Sequence, residues 1–310
     1  MPTVLITGGT GLVGKALSQA LVAKGYAVII LSRSLKNQEK KENISYALWD
    51  IKKQYIDLAA IREADYIVHL AGAAVIDKKW TEAYKKEIRD SRTESSRLII
   101  EALKNNPDSY RDKVKAVVSV SAIGWYGEDA EPVKPFVETD GAADNFLGQT
   151  CKLWEESIEP VTGMAKRLVK LRTGIVLSND GGAYAEFKKP VRFGIAAIIG
   201  SGKQIVSWIH ISDLCRLFIY AIENEHVRGS YNAVAPAPVS NKALILEIAK
   251  KIKGRFYIPL HVPALVIKMM LGQRSIEVLK SATVSCKKIT GTGFDFEYND
   301  IETAVKELEK

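Results

Sequence analysis

The chain has 310 residues, 47% hydrophobic and 26% charged, with a formal net charge of +8. That length sustains one large unit or two unequal ones around a sizeable core. No apolar run approaches the roughly 20 residues a membrane helix needs, and Cys151, Cys215 and Cys286 lie too far apart for C-x-x-C spacing, which argues against a disulfide frame or a thiolate metal site.

The first element is a strand over Thr3–Thr7, followed by glycines at 8, 11 and 14 and a helical pattern over Leu12–Lys24. Strand, glycine turn and helix N-terminus together make a pyrophosphate grip, because the glycines admit close backbone approach and the helix start offers free N–H groups. Gly8, Thr10, Gly11, Leu12, Val13 and Gly14 are therefore expected to wrap a dinucleotide. A second strand, Ala27–Leu31, runs into Ser32 and Arg33. A guanidinium there, where NAD sites usually carry an acid, favours the 2′-phosphate of NADP.

Tyr46–Trp49 reads as a strand ending at Asp50 and Ile51. From the residues themselves Asp50 reads as a simple helix or turn cap. A helix over Ile56–Glu63 precedes a strand at Tyr66–Leu70, and the small residues Ala71 and Gly72 after Leu70 allow ribose and phosphate to approach the strand end. Thr81 caps a long helix to about Asn105, with Pro107 beyond it. On that helix Glu87 and Ser91 share a face with Arg92 beside it. Lys115–Ser121 is a strand. Asp144 and Asn145 precede a helical stretch through Leu147, with a helix expected over Cys151–Thr162. Leu168–Leu177 is a further strand.

Strand–helix alternation with apolar strands implies a parallel sheet covered on both faces, a Rossmann-type doubly wound α/β fold. From Ser178 the glycines at 181, 182, 194, 200 and 202 suggest a loop-rich insertion. A strand over Ile205–Ile211, a helix from Asp213 to Asn224 and a strand at Ser230–Val234 follow. Residues 1–177 are thus expected to form the dinucleotide domain, with 205–235 returning to it. Residues 178–204 and 236–298 would form a smaller substrate-binding cap, and 299–310 a terminal helix.

These blocks resemble the extended short-chain dehydrogenase/reductases. The set Leu70-Ala71-Gly72, Ile88-Arg89-Asp90-Ser91-Arg92, Ser121-Ala122-Ile123-Gly124-Trp125-Tyr126-Gly127, Leu171-Arg172-Thr173-Gly174, Asp180-Gly181-Gly182 and Trp208-Ile209-His210-Ile211-Ser212-Asp213 is similar to an atypical, nucleoside-diphosphate-sugar epimerase-like branch. The resemblance implies an NADP-linked oxidoreductase or epimerase acting on a small polar substrate, including a sugar nucleotide. It implies that Asp50 accepts from the adenine amino group, as the alternative to a turn cap, that Ile51 lines the adenine, that Glu87 and Arg92 lie over the cofactor and that Val176 flanks the nicotinamide. It also implies a homodimer through the helices Thr81–Leu103 and Cys151–Ile158.

The superfamily's Tyr-x-x-x-Lys pair is missing from Phe146–Glu155, where Leu147 and Cys151 stand instead, or, with a one-residue shift, Gly148 and Lys152. The spacing Tyr184 to Lys188 lies in the glycine-rich insertion and reads as chance. Ser121 and Tyr126 are the remaining candidates for proton transfer. The alternative is a non-catalytic NADP(H)-sensing protein. The scattered lysines lack a nucleic-acid motif, no metal is expected, and the reduced thiols without a leader pattern suggest a cytoplasmic protein with no membrane partner.

Overall fold

The computed structural model describes residues 1–36, 41–105, 113–164 and 166–310; Pro107 lies outside them. The strands are β1 (Thr3–Thr7), β2 (Ala27–Ser32), β3 (Ile44–Asp50), β4 (Tyr55–Ile56), β5 (Tyr66–His69), β6 (Ala116–Ala122), β7 (Arg167–Thr173), β8 (Ile175–Leu177), β9 (Ile195–Ile199), β10 (Ile205–Val206), β11 (Trp208–His210), β12 (Gly229–Ala233), β13 (Val239–Ser240) and β14 (Ile258–Val262). The helices used below are α1 (Leu12–Ala23), α2 (Leu58–Glu63), α3 (Glu82–Lys104), α4 (Phe146–Ile158), α5 (Gly182–Arg192), α6 (Ile211–Glu223), α7 (Asn241–Lys253), α8 (Ala264–Leu271), α9 (Ser275–Leu279), α10 (Lys287–Thr290) and α11 (Ile301–Leu308).

The main sheet runs β12-β7-β6-β5-β1-β2-β3-β4, and only β4 is antiparallel to its neighbour. Strand order reverses direction between β1 and β5, so a crevice opens there beyond the carboxyl ends of the strands. Side-chain alternation splits the core. Val4, Ile6 and Ile30 face Leu17 and Leu21 of α1 and Phe218 of α6, while Leu5, Ile29 and Ile67 face Leu98, Ile99 and Leu103 of α3.

A third core, with Tyr184, Trp208, Leu244, Ile248 and Val305, holds α5, α7 and the terminal helix α11 together. Tyr184 donates to Glu309 Oε1 at 2.8 Å, and Lys188 Nζ lies 2.6 Å from the same oxygen. This tyrosine and lysine therefore anchor the C-terminus.

The expected strand Leu168–Leu177 is two strands broken at Gly174. A side chain at Gly174 would meet the Ser207 carbonyl at 2.6 Å, so β7 stays in the main sheet while β8 pairs with β11. Ile205–Ile211 is likewise broken at Ser207, and of the returning segment only β12 joins the main sheet. The insertion 178–204 contains α5 and β9. Its glycines mark element ends, with Gly182, Gly194, Gly200 and Gly202 all at positive φ. Helix α4 begins at Phe146, where Asn145 accepts from Gly148 N.

Candidate functional site

A cleft of about 830 Å³ lies at the β1/β5 crevice. Gly8 leaves β1 at φ +69°, and a side chain there would meet Leu70 backbone at 2.9 Å. At Gly14 a Cβ would fall 2.4 Å from Gly8 O, so α1 can start this close to the turn only on glycine. Gly11 caps α1 without a side-chain hydrogen bond, and the first turn carries no acid. The leading N–H groups are then left for an anion, with the helix dipole behind them.

Gly8, Thr10, Gly11, Ser32, Arg33, Ile51, Leu70, Ala71, Gly72 and Glu87 all line this cleft. Arg33 is exposed at its rim, and Glu87 lies 3.9 Å from Lys78 Nζ. Gly14 is buried beneath the turn. Leu12 turns toward the other glycine turn, since a Cβ at Gly182 would sit 3.2 Å from its Cδ2, and Val13 packs on the core.

Asp50 is outside the lining: its Oδ1 accepts from Lys52 N at 3.0 Å and Lys53 N at 3.2 Å, capping the turn after β3. Oδ1 thus serves the turn, while the side chain stays 37% exposed, with Oδ2 4.0 Å from Lys53 Nζ. Arg92 is also outside the lining. Its Nη1 donates to Ile88 O at 2.8 Å and Ala73 O at 3.1 Å, and its guanidinium lies 4.8 Å from the Trp154 ring centre. It holds the loop after Gly72 from below. Val176 is in β8, paired with β11, and is not among the residues that line this cleft, although its carbonyl and Leu12 Cδ2 both lie within 4 Å of a Cβ built at Gly182.

Ser121 and Tyr126 depart most from expectation. Ser121, Arg172 and Asn232 are register partners across β6, β7 and β12, which sets them in one row on the sheet. Glu155 of α4 meets that row. Arg172 Nε and Nη2 donate to its two oxygens at 2.8 and 3.1 Å, Ser121 Oγ donates at 2.8 Å, and Ser230 Oγ at 3.1 Å. Tyr126 is fully buried and stacks on Phe136. Its hydroxyl donates to Asn232 Oδ1 at 2.7 Å and accepts from Arg172 Nη1 at 3.0 Å. Burial pushes this phenol up, against the pull of Arg172 and the hydrogen bond to Asn232. Both hydroxyls are thus committed inside the protein, which removes them as proton donors to the cleft. Cys151, near Arg92, has its thiol pushed up to about 12 by burial and is not a nucleophile.

Sequence reasoning missed Trp49, Asp77, Lys78 and Tyr84 in the lining. Tyr84, Glu87 and Ser91 recur at helical spacing on α3, a signal that was available. Tyr84 donates to Ala74 O, and Ser91 Oγ accepts from Ala73 N at 2.9 Å, so this face fixes the loop over the cleft.

His69 was missed too. Thr7 Oγ1 accepts from Leu70 N (3.1 Å) and Ala71 N (3.2 Å), so its one proton goes to His69 Nδ1 at 2.7 Å. The imidazole is then the Nε2–H tautomer facing Ser95 and Ser96, and burial holds its pKa down at about 3. This neutral histidine ties β1, β5 and α3 together under the cleft floor.

Residues 4–146 match the model of the NAD dependent epimerase/dehydratase family, and 262–308 match a domain of unknown function. The epimerase family protein YfhF of Bacillus subtilis is 32% identical over 98% of this chain and 97% of its own length. The human epimerase family protein SDR39U1 is 31% identical over 98% and 99%. The crystal structure of human SDR39U1 with NADPH superposes with a TM-score of 0.84, at 29% identity and 99% coverage of both chains.

Proposed function

The chain belongs to the epimerase family of extended short-chain dehydrogenase/reductases, and from that premise we propose that it binds NADP(H) in the β1/β5 cleft as an epimerase-like oxidoreductase for a small polar substrate. The observation that carries the reading is the cleft itself. A glycine turn admits a diphosphate at the α1 N-terminus, and Ser32 and Arg33 stand at the end of β2 for a 2′-phosphate. The NADPH in the human relative's crystal structure supports the same cofactor.

In this reading Thr10, Gly11 and the start of α1 hold the diphosphate, with Lys78 a further cation at the cleft wall. Ile51 and Trp49 supply an apolar wall for the adenine, and Leu70, Ala71 and Gly72 form the floor. Glu87 offers a carboxylate acceptor to a ribose, while Tyr84 and Ser91 hold the loop beside it. NADP(H), when bound, supplies or accepts a hydride. The row Ser121–Arg172–Asn232, with Glu155 and Tyr126, is the scaffold behind the site. The commitment of Ser121 and Tyr126 to that scaffold favours a second reading, in which the chain senses NADP(H) without turnover.

The test is a fluorescence titration of NADPH and NADH against the natural chain and Arg33→Ala. NADPH preference in the natural chain, lost in the variant by about tenfold or more, supports the reading (about 1.4 kcal/mol, within the range of a charge-assisted hydrogen bond). An unchanged preference refutes the role of Arg33. NADPH oxidation followed across sugar nucleotides and carbonyl compounds then separates the enzyme from the sensor.

A further inference from the structure

The outer edge of the cap is apolar and uncovered. In β9 and β14, Ile195 pairs with Ile258, and Ile258 N donates to Gly194 O at 2.8 Å. Two residues ahead of this pair stand Phe193 and Phe256, each 86% exposed, at the same end of the ladder. Ile258 is 71% exposed and Leu260 52%. The chain then passes Pro263 into α8, an apolar helix in which only Ile267 is buried, while Leu265, Met269 and Met270 are exposed by 67–70%. Protein surfaces rarely expose so many large aromatic and aliphatic side chains from neighbouring stretches of chain without a partner.

Charge decides which partner. Segments 178–204 and 236–280 hold twelve Lys and Arg against four Asp and Glu, so the whole formal +8 of the chain resides in them. Exposed cations adjoin the band directly: Arg192 precedes Phe193, Arg255 precedes Phe256, and Lys268 precedes Met269. A second copy would bring two such positive faces together, which opposes association. An anionic lipid surface satisfies both features, taking aromatic and aliphatic side chains into the headgroup–acyl boundary and cations against its phosphates.

We propose that the β9–β14 edge and α8 form a docking face through which this protein binds peripherally to anionic membranes. The proposed contact is with one leaflet; among the described residues no helix is long and apolar enough to cross a membrane. The sequence reading expected no membrane partner, because it addressed spanning helices only; the exposure of this band is a tertiary property. The inference stands independently of the cofactor assignment.

Co-sedimentation with vesicles of phosphatidylcholine, alone or mixed with phosphatidylglycerol, tests it on the full chain. The protein is expected to pellet with the phosphatidylglycerol vesicles, and rising salt should release it. Phe193→Ser with Phe256→Ser should lower the partition coefficient by about tenfold or more, from the apolar area each ring buries. Arg192→Glu with Arg255→Glu should abolish the preference for phosphatidylglycerol. Both pairs lie in exposed positions, so unchanged circular dichroism and melting temperature report an intact fold. A protein that stays in the supernatant with both vesicle types overturns the proposal. So does a concentration-dependent dimer, seen by analytical ultracentrifugation and lost in the phenylalanine variant, which would give this face to a second copy.

Discussion

Replacing Glu155 with Gln should be among the more damaging single changes in this protein, although it alters one atom. Glu155 accepts four hydrogen bonds, two from Arg172 and one each from Ser121 and Ser230, and Lys170 Nζ stands 3.7 Å away. Arg172 is 3% exposed, so water cannot replace the lost partner. A glutamine keeps one acceptor oxygen and turns an amide toward donors. The guanidinium is left buried without a counter-charge, and Lys170 adds repulsion.

Breaking a buried pair in this way costs about 3–5 kcal/mol. An unfolding entropy of about 2.1 cal/mol/K per residue gives roughly 0.65 kcal/mol/K for this chain, so the melting temperature should fall by about 5–8 °C. Differential scanning fluorimetry measures this, with NADPH titration alongside. The double change Glu155→Leu with Arg172→Met should recover much of the loss, because apolar pairs often replace buried ion pairs at little cost. A fall of about 1 °C or less for Glu155→Gln would mean that the network contributes little. A loss of NADPH affinity without a stability change would mean that the row belongs to the cleft after all.

Gly14→Ala should weaken both NADPH binding and stability. Its methyl group would collide with Gly8 O and Gly9 Cα, which are backbone and cannot swing away, and overpacking of about 1–3 kcal/mol exceeds the helix-propensity gain of alanine, at most about 1 kcal/mol. Unchanged affinity and melting temperature would refute the close approach. Stability should also fall as the solution is acidified. His69 titrates near 6.5 when unfolded but at about 3 when folded, so between these values the unfolded state binds the extra proton, and stability drops with falling pH by up to about 1.4 kcal/mol per unit. Urea midpoints from pH 7.5 to 4.5 should show this slope, and His69→Gln should flatten it; equal slopes in both proteins would rule out the histidine as its source.

Much of the fold was legible in the sequence because its signals are local. Buried β-branched runs mark β1, β2, β5 and β6, and glycines three residues apart after a strand specify the turn and the start of α1 whatever surrounds them. The breaks at Gly174 and Ser207 were not legible, because each arises from a strand arriving from elsewhere in the chain. The glycines of 178–204 misled for a related reason: they open α5 at Gly181 and Gly182 and follow α5 and β9 at Gly194 and Gly200, instead of filling a loop.

The sequence by itself determined that the chain carries a dinucleotide grip with a cation at the end of β2, since strand, turn and helix lie within some thirty residues. Only the tertiary structure decided what stands beside that grip. Ser121 and Tyr126 stand close together in the Ser121–Gly127 block, yet the pairing of β6 with β7 and of β7 with β12, and the descent of Glu155 from α4, turn them into a buried network. A side chain's neighbours across a parallel sheet come from strands tens of residues away, and their charges decide whether a hydroxyl is free to react or is held.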